Sequence, residues 1–381
     1  MDSYYNYLYS EGLANLIEDT IDFPWNFYYI SKNNAIVWDT VISHPNIRWD
    51  FDYLGENKNI SWNIIKNNPN FKWCYCNLSR ENKIPTDVLL KNNNLWYKHN
   101  LSQNSNISYE MIIQSPDNWC NKKLSKNARL NWFTILKDPT IEWDYWFLSL
   151  NQSITWEHVK AFKSKSWSYS NLSRNKNFTF DIIQNNPKYK WCFNNLSKNP
   201  NINMKHILYS INEKWSWSIL SSHINITWND IISNINLPWI WDKVSVNPNI
   251  TYEIVNNNPT YNWNKVLLCK HPNFTWHHIK LLFDYNNKLY QCVNGDYLFY
   301  DLLPSEVWDN ISLNPNIGWE IIRNNKYGHW NYKNLSLNNM ELAKKKYINN
   351  RLKIYAKILF TKSKFLIPDI QMYILSFFTY R

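Results

Sequence analysis

The stretch Asn225-Ile-Thr-Trp-Asn-Asp-Ile-Ile carries the pattern from which the fold can be predicted. Thr227 is a natural helix N-cap, because its hydroxyl oxygen can accept a hydrogen bond from a free backbone N–H of the first turn. Trp228, Ile231 and Ile232 follow at i, i+3 and i+4, a spacing that places them on one helical face. The stretch therefore predicts a short amphipathic helix that begins at Trp228.

Prolines end these helices at one place of a recurring pattern, at Pro69, Pro116, Pro139, Pro187 and Pro259. Proline lacks the N–H that a helix needs and biases the preceding residue towards extended backbone. A second short helix then runs from a Trp to a Leu-Ser pair such as Leu196-Ser197. A β-repeat is the alternative, since Ile, Thr, Trp and Tyr favour strands. The helical spacing and the scarcity of Gly for hairpin turns argue against it.

Aromatic residues recur along the chain in two columns with a period of 23 or 24 residues, the first of Trp only and the second of Trp, Tyr and Phe. The first column is Trp25, Trp49, Trp73, Trp96, Trp119, Trp143, Trp167, Trp191, Trp215, Trp239 and Trp263, and it resumes at Trp308 and Trp330. The second is Trp38, Trp62, Tyr109, Trp132, Trp156, Phe180, Trp228, Tyr252, Trp276 and Trp319, with Thr86 and Met204 in place of the aromatic residue in two repeats. Two short helices cannot bury two large rings alone, whereas stacked repeats can. We therefore predict an all-α solenoid with these rings as structural columns.

This periodicity predicts about fourteen two-helix repeats of 22–24 residues. An N-terminal capping repeat covers residues 1–37, and the tandem repeats cover 38–339, with a degenerate one at about 277–307. Residues 340–381 form a basic C-terminal helical segment that caps the array.

Composition excludes several classes of protein. The chain has only 5 Gly in 381 residues, and they lie far apart. Glycine-rich phosphate loops need several close together, so Rossmann, P-loop, kinase and Gly-x-Ser-x-Gly hydrolase folds are excluded. Intrinsic disorder is excluded as well, because 44% hydrophobic residues supply ample surface to bury. Asparagine, at about one residue in six, suits the corners between helices because it tolerates left-handed backbone.

The repeats resemble the Trp/Asn-rich tandem repeat proteins of giant DNA viruses of the mimivirus kind. The likeness is carried by repeats such as Asn-Pro-Asn-Ile-Thr-Tyr-Glu-Ile-Val-Asn-Asn-Asn-Pro at 247–259, and it covers nearly all of residues 12–338. It implies a viral origin but little about function. Without a signal-peptide pattern or a long apolar run, we expect an intracellular location, in host cytoplasm or a viral factory, with the virion as another location.

The C-terminal segment is similar to the core of an F-box, a motif that poxviral ankyrin proteins carry in truncated form at their C-termini. In those families it docks the Skp1 adaptor of a ubiquitin ligase, so the resemblance implies adaptor docking. Ile367 precedes the proline and Asp369 stands where the motif has Glu. The alternative is an amphipathic helix that seals the last repeat. The residues that would dock an adaptor are Leu366, Pro368, Asp369, Ile370, Ile374, Leu375 and Phe378.

No constellation of residues indicates catalysis, a cofactor or a metal. The recurring acidic residues after the second column, such as Glu157 and Glu320, suit the positive end of a helix dipole. His44, His223 and His271 replace asparagines of the repeat, and Cys74-x-Cys76 has no second cysteine pair. We therefore predict a protein that is not an enzyme and has no cofactor.

Positive charge is concentrated in the C-terminal segment. Residues 340–381 hold nine Lys and Arg against Glu341 and Asp369, which leaves only +4 of the net +11 for the rest. Phosphate binding needs a basic track, so nucleic acid is a weaker prediction than a protein partner. The candidate polyanion-binding residues are Lys344, Lys345, Lys346, Arg351 and Lys353.

The sequence thus predicts a viral repeat scaffold that binds a protein partner, with specificity in the variable positions between the columns. Two roles fit it: a substrate receptor for host ubiquitin ligase, with a Skp1-type adaptor and a substrate as partners, or a minor structural protein of the virion that contacts other virion proteins. An RNA- or DNA-binding repeat protein is the second alternative.

Overall fold

The computed structural model describes residues 2–91, 95–114, 116–137, 141–283 and 303–362. Within these ranges the chain forms 27 helices and no strand. The predicted all-α class of short tandem helices is confirmed, and the β-repeat alternative is wrong.

Most helices are only four to six residues long, and they alternate as first and second helices of successive repeats. The first fourteen are α1 Asp2–Asp19, α2 Phe27–Lys32, α3 Trp38–Ser43, α4 Phe51–Leu54, α5 Trp62–Asn67, α6 Tyr75–Leu78, α7 Thr86–Lys91, α8 Lys98–Leu101, α9 Tyr109–Gln114, α10 Asn121–Lys126, α11 Trp132–Lys137, α12 Tyr145–Leu148, α13 Trp156–Ala161 and α14 Tyr169–Arg174. The others are α15 Phe180–Gln184, α16 Phe193–Leu196, α17 Met204–Tyr209, α18 Trp217–Leu220, α19 Trp228–Ser233, α20 Trp241–Val244, α21 Tyr252–Asn257, α22 Lys265–Leu268, α23 Trp276–Leu282, α24 Ser305–Ser312, α25 Trp319–Asn324, α26 Tyr332–Leu337 and α27 Glu341–Lys362.

The helices belong to two compact units. The central unit comprises the described residues of Ser61–Leu268, and the terminal unit combines those of Met1–Ile60 with those of Cys269–Arg381. In the terminal unit α1 packs against α3, α25 and α27, so helices from both ends of the chain share one core.

Helix α19 shows how a repeat is started. The Thr227 hydroxyl accepts from the Asp230 N–H at 3.2 Å, and the Asp230 carboxylate accepts from the Thr227 N–H at 2.8 Å. The two bonds form a capping box. Ile231 is buried, but Ile232 is exposed, so the predicted apolar face is narrower than the spacing suggested.

The core is made mainly of aliphatic side chains between the aromatic columns. The residue two before the second column is buried in each repeat, as is an aliphatic residue in each of the two helices, most often Leu in the second. In one cluster these are Ile154, Leu172 and Val159, with Trp156 and Trp191 packed against them. The rings therefore cover a core that the aliphatic residues fill.

The described residues before and after the predicted degenerate repeat at about 277–307 bond to each other as those of consecutive repeats do. The Asn314 amide donates directly to the carbonyl oxygens of Cys269 at 2.7 Å and Phe274 at 2.8 Å, although 45 and 40 residues separate these pairs in sequence. Residues 284–302 of that stretch lie outside the described residues. The described helices therefore form thirteen pairs followed by α27.

In the alignment of repeats that the Asn314 bonds establish, Trp308 does not belong to the first column. Ser312 accepts from the Asn331 N–H at 3.0 Å, a bond that elsewhere is made by the serine six residues after a column Trp. That count places Glu306 in the column and Trp308 two residues beyond it. Trp308 accordingly contacts Trp330 edge to face at 5.0 Å.

Candidate interaction surface

Nine of the first-column tryptophans are fixed through their indole N–H groups, whereas the buried indole N–H groups of Trp96 and Trp143 have no hydrogen-bond partner among the described residues. Trp191 Nε1 donates to the carbonyl oxygen of Asn186, five residues earlier, at 2.9 Å. The same bond is made by Trp25, Trp49, Trp73, Trp167, Trp215, Trp239, Trp263 and Trp330. The acceptor lies at the C-terminus of the preceding helix, where carbonyls lack helical partners. Trp143 packs against the aliphatic core as well. These rings are thus committed to the fold.

A buried asparagine joins most repeats to the one before them. Asn199 Nδ2 donates to the carbonyl oxygens of Ser173 at 2.9 Å, Asn175 at 3.0 Å and Phe178 at 2.8 Å. Its Oδ1 accepts from the Asn201 N–H at 3.0 Å. We call the series of such residues the asparagine ladder; Asn33, Asn57, Asn104, Asn127, Asn151, Asn175, Asn247, Asn314 and Asn338 also belong to it.

Further polar side chains repeat beside the ladder. Asn249 Nδ2 donates to the carbonyl oxygens of Ile224 at 2.7 Å and Ile226 at 3.0 Å in the previous repeat. The Ser197 hydroxyl accepts from the Ser216 N–H of the next repeat at 2.9 Å. Most of the periodic asparagines therefore make hydrogen bonds between repeats. The repeat pattern in the sequence did not predict this role.

Two histidines follow the same geometry as the ladder. His223 Nε2 lies 3.2 Å from the Asn199 carbonyl oxygen, and its Nδ1 accepts from the Asn225 N–H at 3.2 Å. His271 Nδ1 accepts from the Asn273 N–H at 3.1 Å. Burial lowers the pKa of His223, partly offset by the hydrogen bond to Asn199. The neutral ring thus imitates the donor and acceptor of an asparagine amide.

His44 occupies a different place from these two. It lies at the C-terminus of α3, where its carbonyl accepts from Trp49 Nε1. Its ring nitrogens contact Glu11 at 3.1 Å and Glu18 at 3.0 Å, both on α1. Burial lowers the pKa of His44, but the hydrogen bonds to the two carboxylates outweigh it and raise the pKa overall. His44 therefore ties α1 to the following repeat and does not substitute for a ladder asparagine.

The large exposed apolar side chains of the central unit lie outside the columns. Phe133 is 85% exposed, Tyr209 69% and Trp146 50%. They occupy three different positions of the repeat: directly after the second column, five residues after it, and three residues after the first column. Monomeric proteins often expose single apolar residues, but aromatic ones are enriched at protein interfaces. These nonperiodic side chains are the candidate contact residues.

The variable positions named from the sequence are partly exposed. Lys188, Lys190, Thr260 and Asn262 are exposed, whereas the central residues Tyr189 and Tyr261 are half-buried. Tyr261 stacks on Trp241 at 5.0 Å, so the middle of each triplet belongs to the aromatic stack. Only the flanking positions remain free to vary with a partner.

Helix α27 divides the candidate polyanion-binding residues into two groups. Lys344 is half-buried, and its Nζ donates to the Asn34 carbonyl oxygen at 3.0 Å. Burial lowers its pKa to about 8. Lys345, Lys346, Arg351 and Lys353 are exposed. The adaptor-docking residues Leu366, Pro368, Asp369, Ile370, Ile374, Leu375 and Phe378 lie outside the described residues.

A cavity of about 320 Å³ lies in the terminal unit beside α27. Its lining includes Tyr9, Trp276, Lys346 and Tyr347. The Tyr9 hydroxyl is buried and has no hydrogen-bond partner among the described residues. Burial, reinforced by Glu320, raises the Tyr9 pKa far above its ordinary value. The phenol therefore stays protonated as a hydrogen-bond donor next to the cavity.

Within the described residues, no group of three or more His, Cys, Asp or Glu side chains is placed to hold a metal ion. None of the described helices is both long enough and apolar enough to cross a membrane. No protein-family model, curated protein or solved structure matches this chain.

Proposed function

We propose that this chain is a non-enzymatic repeat scaffold that binds a protein partner through exposed side chains outside its columns. The observation that carries the proposal is that the periodic side chains are bonded within the fold, whereas some nonperiodic aromatic side chains are exposed. Nine first-column indoles and the ladder amides are hydrogen-bonded inside the fold, whereas Phe133, Tyr209 and Trp146 point large apolar surface outwards. Aromatic anchors of this kind supply much of the binding energy at protein interfaces.

The finer form of this proposal follows the resemblance to giant-virus repeat proteins. A C-terminal F-box-like segment would connect the scaffold to a Skp1-type adaptor, and the repeats would hold a substrate for ubiquitin ligase. The alternative within the same class is a minor virion protein whose partners are other virion proteins.

A nucleic-acid role is the second candidate, favoured by the exposed basic residues of α27. Lys345, Lys346, Arg351 and Lys353 could contact a phosphate backbone, although Lys344 is occupied within the fold. Such binding would weaken steeply with salt, because each phosphate contact releases a counterion.

The proposal is tested by a nuclease-treated pull-down from infected host cells with tagged full-length protein. The Phe133→Ser/Tyr209→Ser variant should lose at least tenfold in recovery of the protein partner. Ile42→Ser is a matched control, because Ile42 is 50% exposed but lies in the terminal unit. Equal recovery by all three proteins would contradict the proposal, as would recovery that disappears on nuclease treatment.

The adaptor role is tested with a chain truncated after Lys362. Truncation at the end of the tandem repeats, after Asn339, is not suitable. A chain ending at Asn339 would lose α27. Because Tyr347 of α27 is buried against Tyr9 of α1, this loss would disturb the fold. If Skp1 is recovered with the full chain but not with the chain ending at Lys362, the adaptor role is supported. Recovery of other partners without Skp1 by both chains would contradict that role alone.

A further inference from the structure

The first and last repeats of the chain are joined in the terminal unit as if they were consecutive. Tyr332 of the last repeat stacks on Phe23 at 4.5 Å and meets Trp25 edge to face at 5.0 Å. The same two contacts connect consecutive repeats elsewhere: Tyr169 stacks on Tyr189 at 4.7 Å and meets Trp191 edge to face at 5.3 Å. We call the junction between the Trp25 and Trp330 repeats the seam.

The polar contacts of consecutive repeats also continue across the seam. The Ser336 hydroxyl accepts from the Asn26 N–H at 2.9 Å, as Ser31 does from Asp50 at 2.8 Å. Asn33 Nδ2 donates to the Asn338 carbonyl oxygen at 2.8 Å, more than 300 residues away in sequence. The asparagine ladder therefore connects the N-terminal repeat to the C-terminal one.

Two glycines let α1 approach the last repeats closely. A Cβ at Gly12 would overlap the Trp319 ring, and a Cβ at Gly318 would lie 2.7 Å from the Tyr9 hydroxyl. Gly318 takes the N-cap place that Ser or Thr fills before many other first helices. Asp19 adds an ion pair with Arg323 at 2.6 Å. The surfaces of the seam are thus shaped for each other.

The seam nevertheless has fewer asparagine hydrogen bonds than the junction between the Trp25 and Trp49 repeats. Asn33 donates to one carbonyl across it, whereas Asn57 donates to the three carbonyls of Ser31, Asn33 and Ile36. Ala35 stands where Asn59 supplies two further bonds to the preceding repeat. No peptide link crosses the seam directly, so it can open without breaking the chain.

We propose that the seam is an exchangeable interface whose alternative partner is the seam of a second copy of this chain. Each chain carries both complementary faces, so the N-terminal face of one copy fits the C-terminal face of another with the same contacts. Within one chain the two faces meet at a high effective concentration, which favours the closed monomer. Exchange therefore becomes visible when the intramolecular pairing is selectively weakened. This proposal is independent of the protein-binding function above.

The test uses a pair of full-length variants with complementary defects. Gly12→Leu places a side chain against the Trp319 ring, and Trp319→Ala removes that ring. In an exchanged heterodimer the enlarged side chain of the first variant meets the space left in the second, and the other junction is native. Equimolar mixing should raise the dimer fraction at least tenfold over either variant alone, as measured by light scattering after size exclusion. The chain carrying both substitutions is the matched control and should stay monomeric.

A second pair of variants tests the proposal independently in case the first pair does not fold. Asp19→Arg and Arg323→Asp each place like charges at the seam, and mixing them restores opposite charges in the exchanged dimer. Heterodimer from either mixed pair supports the proposal. If circular dichroism shows folded variants and both mixtures remain monomeric, exchange does not occur. Dimers of one variant alone at the level of the mixture would also overturn it, since pairing would then not be complementary.

Discussion

The asparagine ladder shows why one residue type dominates this sequence. A buried position that faces several carbonyls and one N–H needs a donor and an acceptor in the same short side chain, which the amide supplies. Asn199 satisfies this because its Nδ2 donates to the carbonyl oxygens and its Oδ1 accepts from the N–H of Asn201. His223 can replace it because a neutral imidazole also carries one donor and one acceptor.

Asn199→Asp should therefore lower the free energy of unfolding by about 3 kcal/mol, since a buried carboxylate would face three carbonyl oxygens without a proton to donate. Urea unfolding followed by tryptophan fluorescence measures the change. Asn262→Asp is the control at an exposed site and should change it by less than about 0.5 kcal/mol. Equal effects of the two substitutions would mean that the ladder contributes little.

At the residue scale, the sequence predicted where a residue lies in the repeat better than which groups its side chain contacts. Thr227 caps its helix as expected. Asparagine was expected to form corners, and its contacts to the previous repeat could not be read from local pattern because they join residues 21 to 26 apart. His44 replaces an asparagine as expected, but its partners Glu11 and Glu18 lie on another helix and could not be predicted from the repeat.

At the scale of the helix, capping matters because isolated helices of six residues are unstable in water. His206 is part of the capping box of α17: its Nδ1 accepts from the Asn203 N–H at 3.3 Å, and its ring stacks on Phe180 at 4.7 Å. Only the neutral ring can accept this bond. Burial accordingly lowers the His206 pKa, against a raising effect of Asp181.

This shift predicts a pH dependence of stability. With its folded pKa below the unfolded value of about 6.5, His206 contributes stability that is complete above that value and is lost as the pH falls towards the folded pKa. His206→Gln retains a side-chain acceptor for the capping box. The difference in Tm between wild type and this variant should therefore shrink from pH 7.5 to pH 5. A difference that grows on acidification would contradict the neutral capping role.

The helices themselves were largely predictable, but their register across residues 284–302 was not. Periodicity alone assumed that a repeat filled this gap, because a count along the chain cannot distinguish an insertion from a degenerate repeat. The Asn314 bonds to Cys269 and Phe274 resolve the register and place Trp308 two residues beyond the first column. The seam was likewise unpredictable, since it joins residues more than 300 apart.

At the scale of the whole molecule, two sets of side chains serve different purposes. The periodic Trp and Asn residues build the stacked repeats, and the nonperiodic exposed ones are available to a partner. If the first-column indoles were instead free platforms, bases could stack on them as on other single-strand binding proteins. The central claim is that the column tryptophans are structural and do not serve as platforms for bases.

The most direct measurement is a two-dimensional NMR spectrum of protein labelled with ¹⁵N-tryptophan, recorded during hydrogen–deuterium exchange and then with single-stranded RNA. We predict that the bonded column indoles, such as Trp191, Trp215 and Trp239, exchange far more slowly than the half-exposed Trp146. RNA should leave their shifts unchanged. Column indoles that exchange as fast as Trp146, or that shift on adding RNA, would contradict the account.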